Sequence, residues 1–205
     1  MDAVALADAL AQFGTATVYE AAGKIGDMSP TIRPIVPGLT LAGVAVTIRV
    51  WPGDTLAVLR AIDAAKPGSV FVIDAGGTSR AAVWGGTSSS ACVARKVRGC
   101  VTNGCVRDVD EINTLKFPVY AAGVSPRGTL KNHPGWQGIP ISVGDCVVNN
   151  GDIVIGDSDG VLVLPFEGAE RVLERARTQD QTQRERDRRA LAGEPLATIL
   201  GLPRT

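Results

Sequence analysis

Arg107 and Asp108 stand side by side just after a short apolar run, Cys100-Val101-Thr102-Asn103, which Gly99 and Gly104 border. A guanidinium offers a planar fork of N–H donors to a carboxylate or an enolate, and an aspartate offers hard oxygens to a divalent cation. Both side chains are expected to emerge at a strand end, where α/β proteins commonly take their ligands. The pair therefore suits an oxo-acid and metal centre. A plain salt bridge, or Asp108 opening a helix over Val109-Asp110-Glu111-Ile112, accounts for the same residues.

Upstream, Gly85-Gly86-Thr87-Ser88 precedes a helical stretch. Free backbone N–H groups at the positive end of a helix suit a carboxylate. The plainer alternative is that Thr87 or Ser88 caps that helix. His133, in Lys131-Asn132-His133-Pro134-Gly135, is the single histidine, which rules out a multi-histidine zinc site. A Ser-His-Asp triad would have to use it, and a surface-loop role is the expectation. None of the five lysines lies in an apolar strand that would lower its pKa, which disfavours Schiff-base chemistry. Carboxylates remain as metal ligands, and an oxygen-only site suits Mg2+ or Mn2+.

The elements that must position these groups follow from periodicity. Apolar residues at helical spacing over 2–13 predict a helix that Gly14 ends, and Thr15-Ala16-Thr17 opens a second one carrying Tyr19 and Glu20. Alternation over 41–50 predicts a strand closed by a Pro52-Gly53-Asp54 turn, and 55–66 reads as a helix. Residues 69–74 read as a buried strand, 87–97 as a helix and 100–103 as a strand, a rhythm that implies a parallel crossover unit. The chain is β-rich over 139–164, with turns at Gly144-Asp145, Gly151-Asp152 and Asp159-Gly160. A charged helix over about 168–191 pairs Glu167 with Arg171 and Glu185 with Arg189, and is either a solvated face or a helix crossing onto a neighbouring subunit.

A length of 205 residues with 45% hydrophobic content can bury one substantial core, so a single domain is expected. Basic and acidic residues number 21 each and aromatics make up 4%, which argues against a nucleic-acid partner. The start, Met1-Asp2-Ala3-Val4, lacks the features of a secretory signal, and no apolar stretch approaches the ~20 residues of a membrane span. The expectation is a cytoplasmic protein with no membrane partner. The cysteines at 92, 100, 105 and 146 form no Cys-x-x-Cys pair and read as buried free thiols.

Seven segments occur in order: Tyr19-Glu20-Ala21-Ala22-Gly23, Ile32-Arg33-Pro34-Ile35-Val36-Pro37-Gly38, Trp84-Gly85, Gly104-x-Val106-Arg107-Asp108, Phe117-Pro118-Val119-Tyr120, Gly123-Val124-Ser125-Pro126-Arg127-Gly128 and Gly151-Asp152-Ile153-Val154-x-x-Asp157. Together they resemble the class II 4-hydroxy-4-methyl-2-oxoglutarate / 4-carboxy-4-hydroxy-2-oxoadipate aldolases, whose superfamily includes the RraA regulators of ribonuclease E. The resemblance implies an α/β, swivelling β/β/α fold, a homotrimer or homohexamer, and active sites at subunit interfaces. It implies that Arg107 polarises a pyruvyl carbonyl, that Asp108 holds Mg2+, and that Gly85, Gly86, Thr87 and Ser88 receive the carboxylate of a small oxo acid. Glu20, and by a looser match Glu185, would reach a neighbour's site.

The family usually carries an acidic residue where this chain has Gly86, one that orients water beside the metal. The implied activity is C–C cleavage of a 4-hydroxy-2-oxo acid to release pyruvate, with decarboxylation of oxaloacetate through the same enolate. Two alternatives are a non-catalytic, protein-binding regulator of a ribonuclease and an aldolase relative with another substrate. The regulatory branch lacks the aspartate matching Asp108, which this chain retains.

Overall fold

The computed structural model describes residues 1–76 and 80–203; Gly77, Thr78 and Ser79, in the segment leading to the glycine pair, lie outside the described residues. In chain order the elements are α1 (Ala3–Ala11), α2 (Gly14–Ala21), β1 (Arg33–Pro34), β2 (Leu41–Arg49), α3 (Leu56–Asp63), β3 (Ser69–Asp74), β4 (Ala82–Trp84), α4 (Gly86–Ala94), β5 (Gly99–Val106), α5 (Val109–Thr114), β6 (Val119–Val124), β7 (Trp136–Gln137), β8 (Ile141–Val143), β9 (Cys146–Val148), β10 (Ile153–Gly156), β11 (Val161–Leu164), α6 (Ala169–Leu191) and α7 (Leu196–Ile199).

One mixed sheet runs β1-β6-β5-β3-β2-β10-β11, with β4 added on β5 and β7 on β2. Its centre is parallel: β2 with β3, β3 with β5, and β5 with β6. The predicted crossover unit is β3-α4-β5. Every residue of β3 is buried, because the sheet is covered on both faces. Alternation along the strand sends Phe71 and Ile73 towards α3, α4 and α5, which contribute Val58, Ile62, Cys92 and Ile112. Val70 and Val72 point the other way, onto Ile141, Val143, Val148, Val154 and Val163 of the β-rich C-terminal half. The result is the expected β/β/α layering. Outside it, α1, α2 and α6 close a third cluster around Leu6, Leu10, Val18 and Leu173.

The ends of the elements follow local chemistry. Asp2 caps α1 by accepting the Ala5 N–H at 2.8 Å. The β8-β9 hairpin turns through Gly144 and Asp145, both at positive φ (54° and 61°), as a tight two-residue turn requires. Gly104 was expected at a strand border, but it lies inside β5. The register shifts between Thr102 and Cys105, and the Thr102 hydroxyl accepts the Gly104 N–H at 3.0 Å. A Cβ on Gly104 would come within 2.6 Å of the Ala75 methyl, so close packing is what selects glycine there. The strand consequently continues to Val106 and delivers Arg107 directly from its end.

The C-terminal helix α6 matches the expected span, buries Ala169, Leu173 and Ala176, and is largely exposed beyond them. Its ion pairs differ from the predicted ones. Glu185 pairs with Arg188 at 2.6 Å, and Arg189 turns to Glu194 beyond the helix end. No Glu167–Arg171 pair forms among the described residues. All four cysteines are free; Cys92 and Cys100 are buried, and Cys105 and Cys146 are half-buried. Among the described residues no helix is long and apolar enough to cross a membrane.

Candidate functional site

Where β5 ends, the Arg107 N–H still donates to the Trp84 carbonyl at 3.0 Å, so β4 and β5 run together to the lip of a cleft. The chain then turns at Asp108, which adopts a left-handed conformation (φ 59°, ψ 44°) and precedes α5. An aspartate accepts this backbone more readily than most residues. The helix-start reading of Asp108 holds for the backbone, since its carbonyl receives the Ile112 N–H at 3.0 Å. Its side chain makes no capping bond to α5. Instead Oδ2 accepts the Gly86 N–H across the cleft wall at 3.0 Å, while Arg107 Nε stands 3.5 Å from the same oxygen. The Arg107 and Asp108 side chains are 48% and 34% exposed, so their ion pair is a weak source of stability and both groups are accessible to a ligand. Asp108 Oδ1 is engaged by none of the described residues.

Gly85 has an extended backbone (φ −166°) that any residue adopts, yet it has no room for a side chain. A Cβ there would lie 2.6 Å from Asp108 Oδ2 and 3.2 Å from Arg107 Cγ. Gly86 begins α4, and its N–H is spent on Asp108. The N–H groups of Thr87 and Ser88 have no acceptor among the described residues, and neither side chain caps the helix. The predicted carboxylate-accepting end of α4 is therefore available, and the capping alternative is not what forms. Ser89, buried beneath it, fixes the corner: its hydroxyl donates to the Gly85 carbonyl at 3.1 Å and accepts the Trp84 indole N–H at 2.8 Å.

Gly85, Thr87, Ser88, Arg107 and Asp108 line a cleft of about 420 Å³ together with Trp84 and residues that sequence reasoning did not single out, Thr55, Asp63, Thr129 and Lys131; Gly86, expected to receive substrate, is not in this lining because its N–H is turned to Asp108. The opposite wall is anchored by buried Asp54. Its carboxylate accepts N–H bonds from Leu56 at 2.8 Å, Asn132 at 2.7 Å and His133 at 3.1 Å. Burial alone would raise its pKa, but these donors and the Thr55 N–H outweigh that and hold it below the ordinary aspartate value. The Thr55 and Thr129 hydroxyls join the same wall at 2.8 Å. The only local signal for Asp54 was its place in the Pro52-Gly53-Asp54 turn; two of its three partners, Asn132 and His133, lie 78 and 79 residues away.

His133 forms no triad among the described residues. It stacks on Trp51 at 4.7 Å and accepts the Gly135 N–H through Nδ1 at 3.1 Å, as suits a structural loop histidine. Glu20 and Glu185 do not line the cleft of their own chain. Glu20 lies on α2, 3.6 Å from Lys24, and Glu185 lies on the exposed part of α6, where hydrogen bonding from Arg188 holds its pKa low.

Among the described residues no three His, Cys, Asp or Glu side chains converge as a preformed metal cage. The donors present are hard carboxylate oxygens, and Asp108 Oδ1 stands unengaged. That set fits a cation held by few protein ligands and completed by water and substrate oxygens, the habit of Mg2+ rather than of structural zinc.

Comparison with known proteins gives a consistent result. Residues 15–163 match the family model described as RraA-like, Aldolase/RraA. A protein of Halalkalibacterium halodurans named "Putative 4-hydroxy-4-methyl-2-oxoglutarate aldolase" is 33% identical over 174 residues, covering 85% of this chain and 83% of that one. An uncharacterised protein from Pseudomonas syringae pv. tomato superposes with a TM-score of 0.81 at 25% identity, over 95% of this chain and 96% of its own. The RNA-processing inhibitor RraA from Thermus thermophilis superposes at 0.69 and 25% identity, over 74% of this chain and 92% of its own.

Proposed function

We propose, from the premise that this chain belongs to the RraA-like aldolase family, that it is a divalent-metal-dependent lyase releasing pyruvate from a 4-hydroxy-2-oxo acid. The observation that carries this reading is the convergence on one cleft of the Arg107 guanidinium, the unspent Thr87 and Ser88 N–H groups and the tethered Asp108 carboxylate.

In this reading the substrate carboxylate rests on the Thr87 and Ser88 N–H groups at the positive end of α4. Arg107 faces the 2-oxo oxygen. Cleavage breaks the C3–C4 bond: the 4-hydroxyl gives up its proton to a water molecule, C4 becomes a carbonyl, and the electron pair of the broken bond passes into the enolate of pyruvate. The guanidinium offsets the charge that develops on the enolate oxygen, and protonation at C3 completes pyruvate. Oxaloacetate yields the same enolate by losing carbon dioxide, with no hydroxyl proton to remove. Mg2+ or Mn2+ held at Asp108 would supply Lewis-acid polarisation of the 2-oxo group. Lys131, across the cleft, is placed to meet a second carboxylate on the distal half of a dicarboxylic substrate.

The same reading has the chain assemble as a homotrimer or homohexamer, with Glu20 and Glu185 approaching a neighbour's cleft; light scattering on the eluting protein tests the assembly. Activity is tested with a panel of 4-hydroxy-2-oxo acids and oxaloacetate, in a coupled pyruvate assay with and without Mg2+. Arg107→Ala is expected to lower kcat/KM by roughly 10²–10³-fold, the usual cost of removing a donor to a developing oxyanion. Asp108→Ala and EDTA are each expected to abolish turnover. Turnover indifferent to both substitutions, or to EDTA, refutes the mechanism. The likeness to the RNA-processing inhibitor supports a second reading, a protein-binding regulator, which capture of an endoribonuclease together with absent Mg2+ binding would establish.

A further inference from the structure

We infer that Glu111 is the second carboxylate of the Asp108 centre, a positioning residue that helps hold the hydration shell of a divalent cation beside Gly86. The inference rests on the metal-dependent reading above.

Glu111 is the third residue of α5. A glutamate in that place ordinarily reaches back to the N–H of the residue before the helix and completes a capping box. Here its carboxylate makes no hydrogen bond or ion pair among the described residues, although its backbone carbonyl accepts the Leu115 N–H at 3.0 Å. Its carboxylate lies instead against the Cα of Gly86: a Cβ built there would fall 2.0 Å from Glu111 Oε2 and 3.1 Å from its Cδ. Asp108, at the start of the same helix, accepts the Gly86 N–H at 3.0 Å. Two carboxylates thus converge on one residue. The nearby guanidinium, Arg107, approaches Asp108 only, at 3.5 Å.

That arrangement places an acidic group beside the glycine. Gly86 lies at the start of a regular helix and is not among the residues with positive φ, so its backbone does not require glycine. The carboxylate of exposed Glu111 lies in the space that a side chain at 86 would enter, and it would have to swing aside to admit one. The acidic side chain that the family resemblance leads one to expect at position 86 would project into this same volume; here α5 supplies a carboxylate from the opposite side. A divalent cation with its water is a partner that two neighbouring carboxylates can share. The plainer role for Glu111, complementing the α5 dipole from its first turn, predicts no effect on cation binding.

The test is titration of the full-length protein with Mn2+ alone, followed by electron paramagnetic resonance, with thermal unfolding to verify that each variant is folded. Wild type is expected to bind and Asp108→Asn to lose binding. Glu111→Gln is expected to weaken binding by about tenfold, the lower end of the effect of a residue that orients a metal's ligands. The double variant Glu111→Ala with Gly86→Asp, which returns a carboxylate from α4 into the vacated space, is expected to recover most of that loss. If Asp108→Asn loses Mn2+ while Glu111→Gln binds it as wild type does, the role of Glu111 is overturned and the lyase reading stands. If the wild type binds no Mn2+, both fall.

Discussion

Substituting Gly85 by alanine perturbs the site through a single methyl group. The extended backbone accepts alanine without strain, so the effect comes from what the methyl meets: Asp108 Oδ2 at 2.6 Å and Arg107 Cγ at 3.2 Å. An ordinary carbon–oxygen contact requires the carboxylate to retreat by about 0.5–1 Å. That movement breaks the 3.0 Å bond from the Gly86 N–H. A hydrogen bond to a charged group is worth about 1.5–3 kcal/mol, and the one-third exposure of Asp108 argues for the lower end. For a chain of this size that loss lowers Tm by roughly 3–6 °C. Catalysis should suffer more than stability, because a displacement of about 1 Å costs on the order of 100-fold in rate. The assay is pyruvate release alongside thermal unfolding. Gly123→Ala is the control: its methyl would meet only Cys105 Sγ, at an ordinary 3.4 Å, so activity and Tm should stay near wild type. A folded Gly85→Ala protein with wild-type kcat/KM and Mn2+ affinity would refute the idea that this glycine exists to seat Asp108.

Other outcomes follow from the same geometry. Asp54→Asn removes the charge that gathers three backbone N–H groups, and should cost about 1–3 kcal/mol and raise KM through the loosened 128–133 wall. Because the folded-state pKa of Asp54 is depressed, its contribution is present above the ordinary aspartate value of about 3.9 and is lost as pH falls through the lower folded value. Tryptophan fluorescence from Trp51 and Trp136, which flank His133, should report that loss below about pH 4, and Asp54→Asn should lack it. Burial pushes the Cys92 thiol up to about 12 and Cys100 well above its usual value, so a thiol reagent at pH 8 should find at most two of the four thiols in native protein and all four in denaturant. Glu111→Gln, acting through cation affinity, should lower pyruvate release from a 4-hydroxy-2-oxo acid and from oxaloacetate by similar factors at limiting Mn2+ and be rescued by excess Mn2+; a loss that excess Mn2+ does not rescue would refute that role.

Periodic features were legible in the sequence. Residues 69–74 read as a buried strand because six residues, mostly β-branched or aromatic, are flanked by Pro67-Gly68 and Gly76, and β3 spans those residues. The span of α6 was legible from its charge pattern, but its partners were not. Surface guanidinium groups have several carboxylates within reach, and spacing does not choose among them. β4 escaped notice because three residues carry no period, and its strand character comes from pairing with β5.

The candidate site shows the same division between local and long-range information. Arg107-Asp108 was visible as a charged pair behind an apolar run, and Gly85-Gly86 as a helix entrance. The sequence does not show that these two features are one object, since the bond from Gly86 to Asp108 spans 22 residues. Once they are joined, each glycine has separate neighbours. A side chain at Gly85 would meet the Asp108 carboxylate and the Arg107 stem, and one at Gly86 would meet the exposed Glu111 carboxylate. Read along the chain, the missing acidic side chain at position 86 looks like a defect in the centre. In the fold, the space beside position 86 holds the unpaired Glu111 carboxylate, so an acidic group stands next to Asp108's tether although position 86 itself carries none.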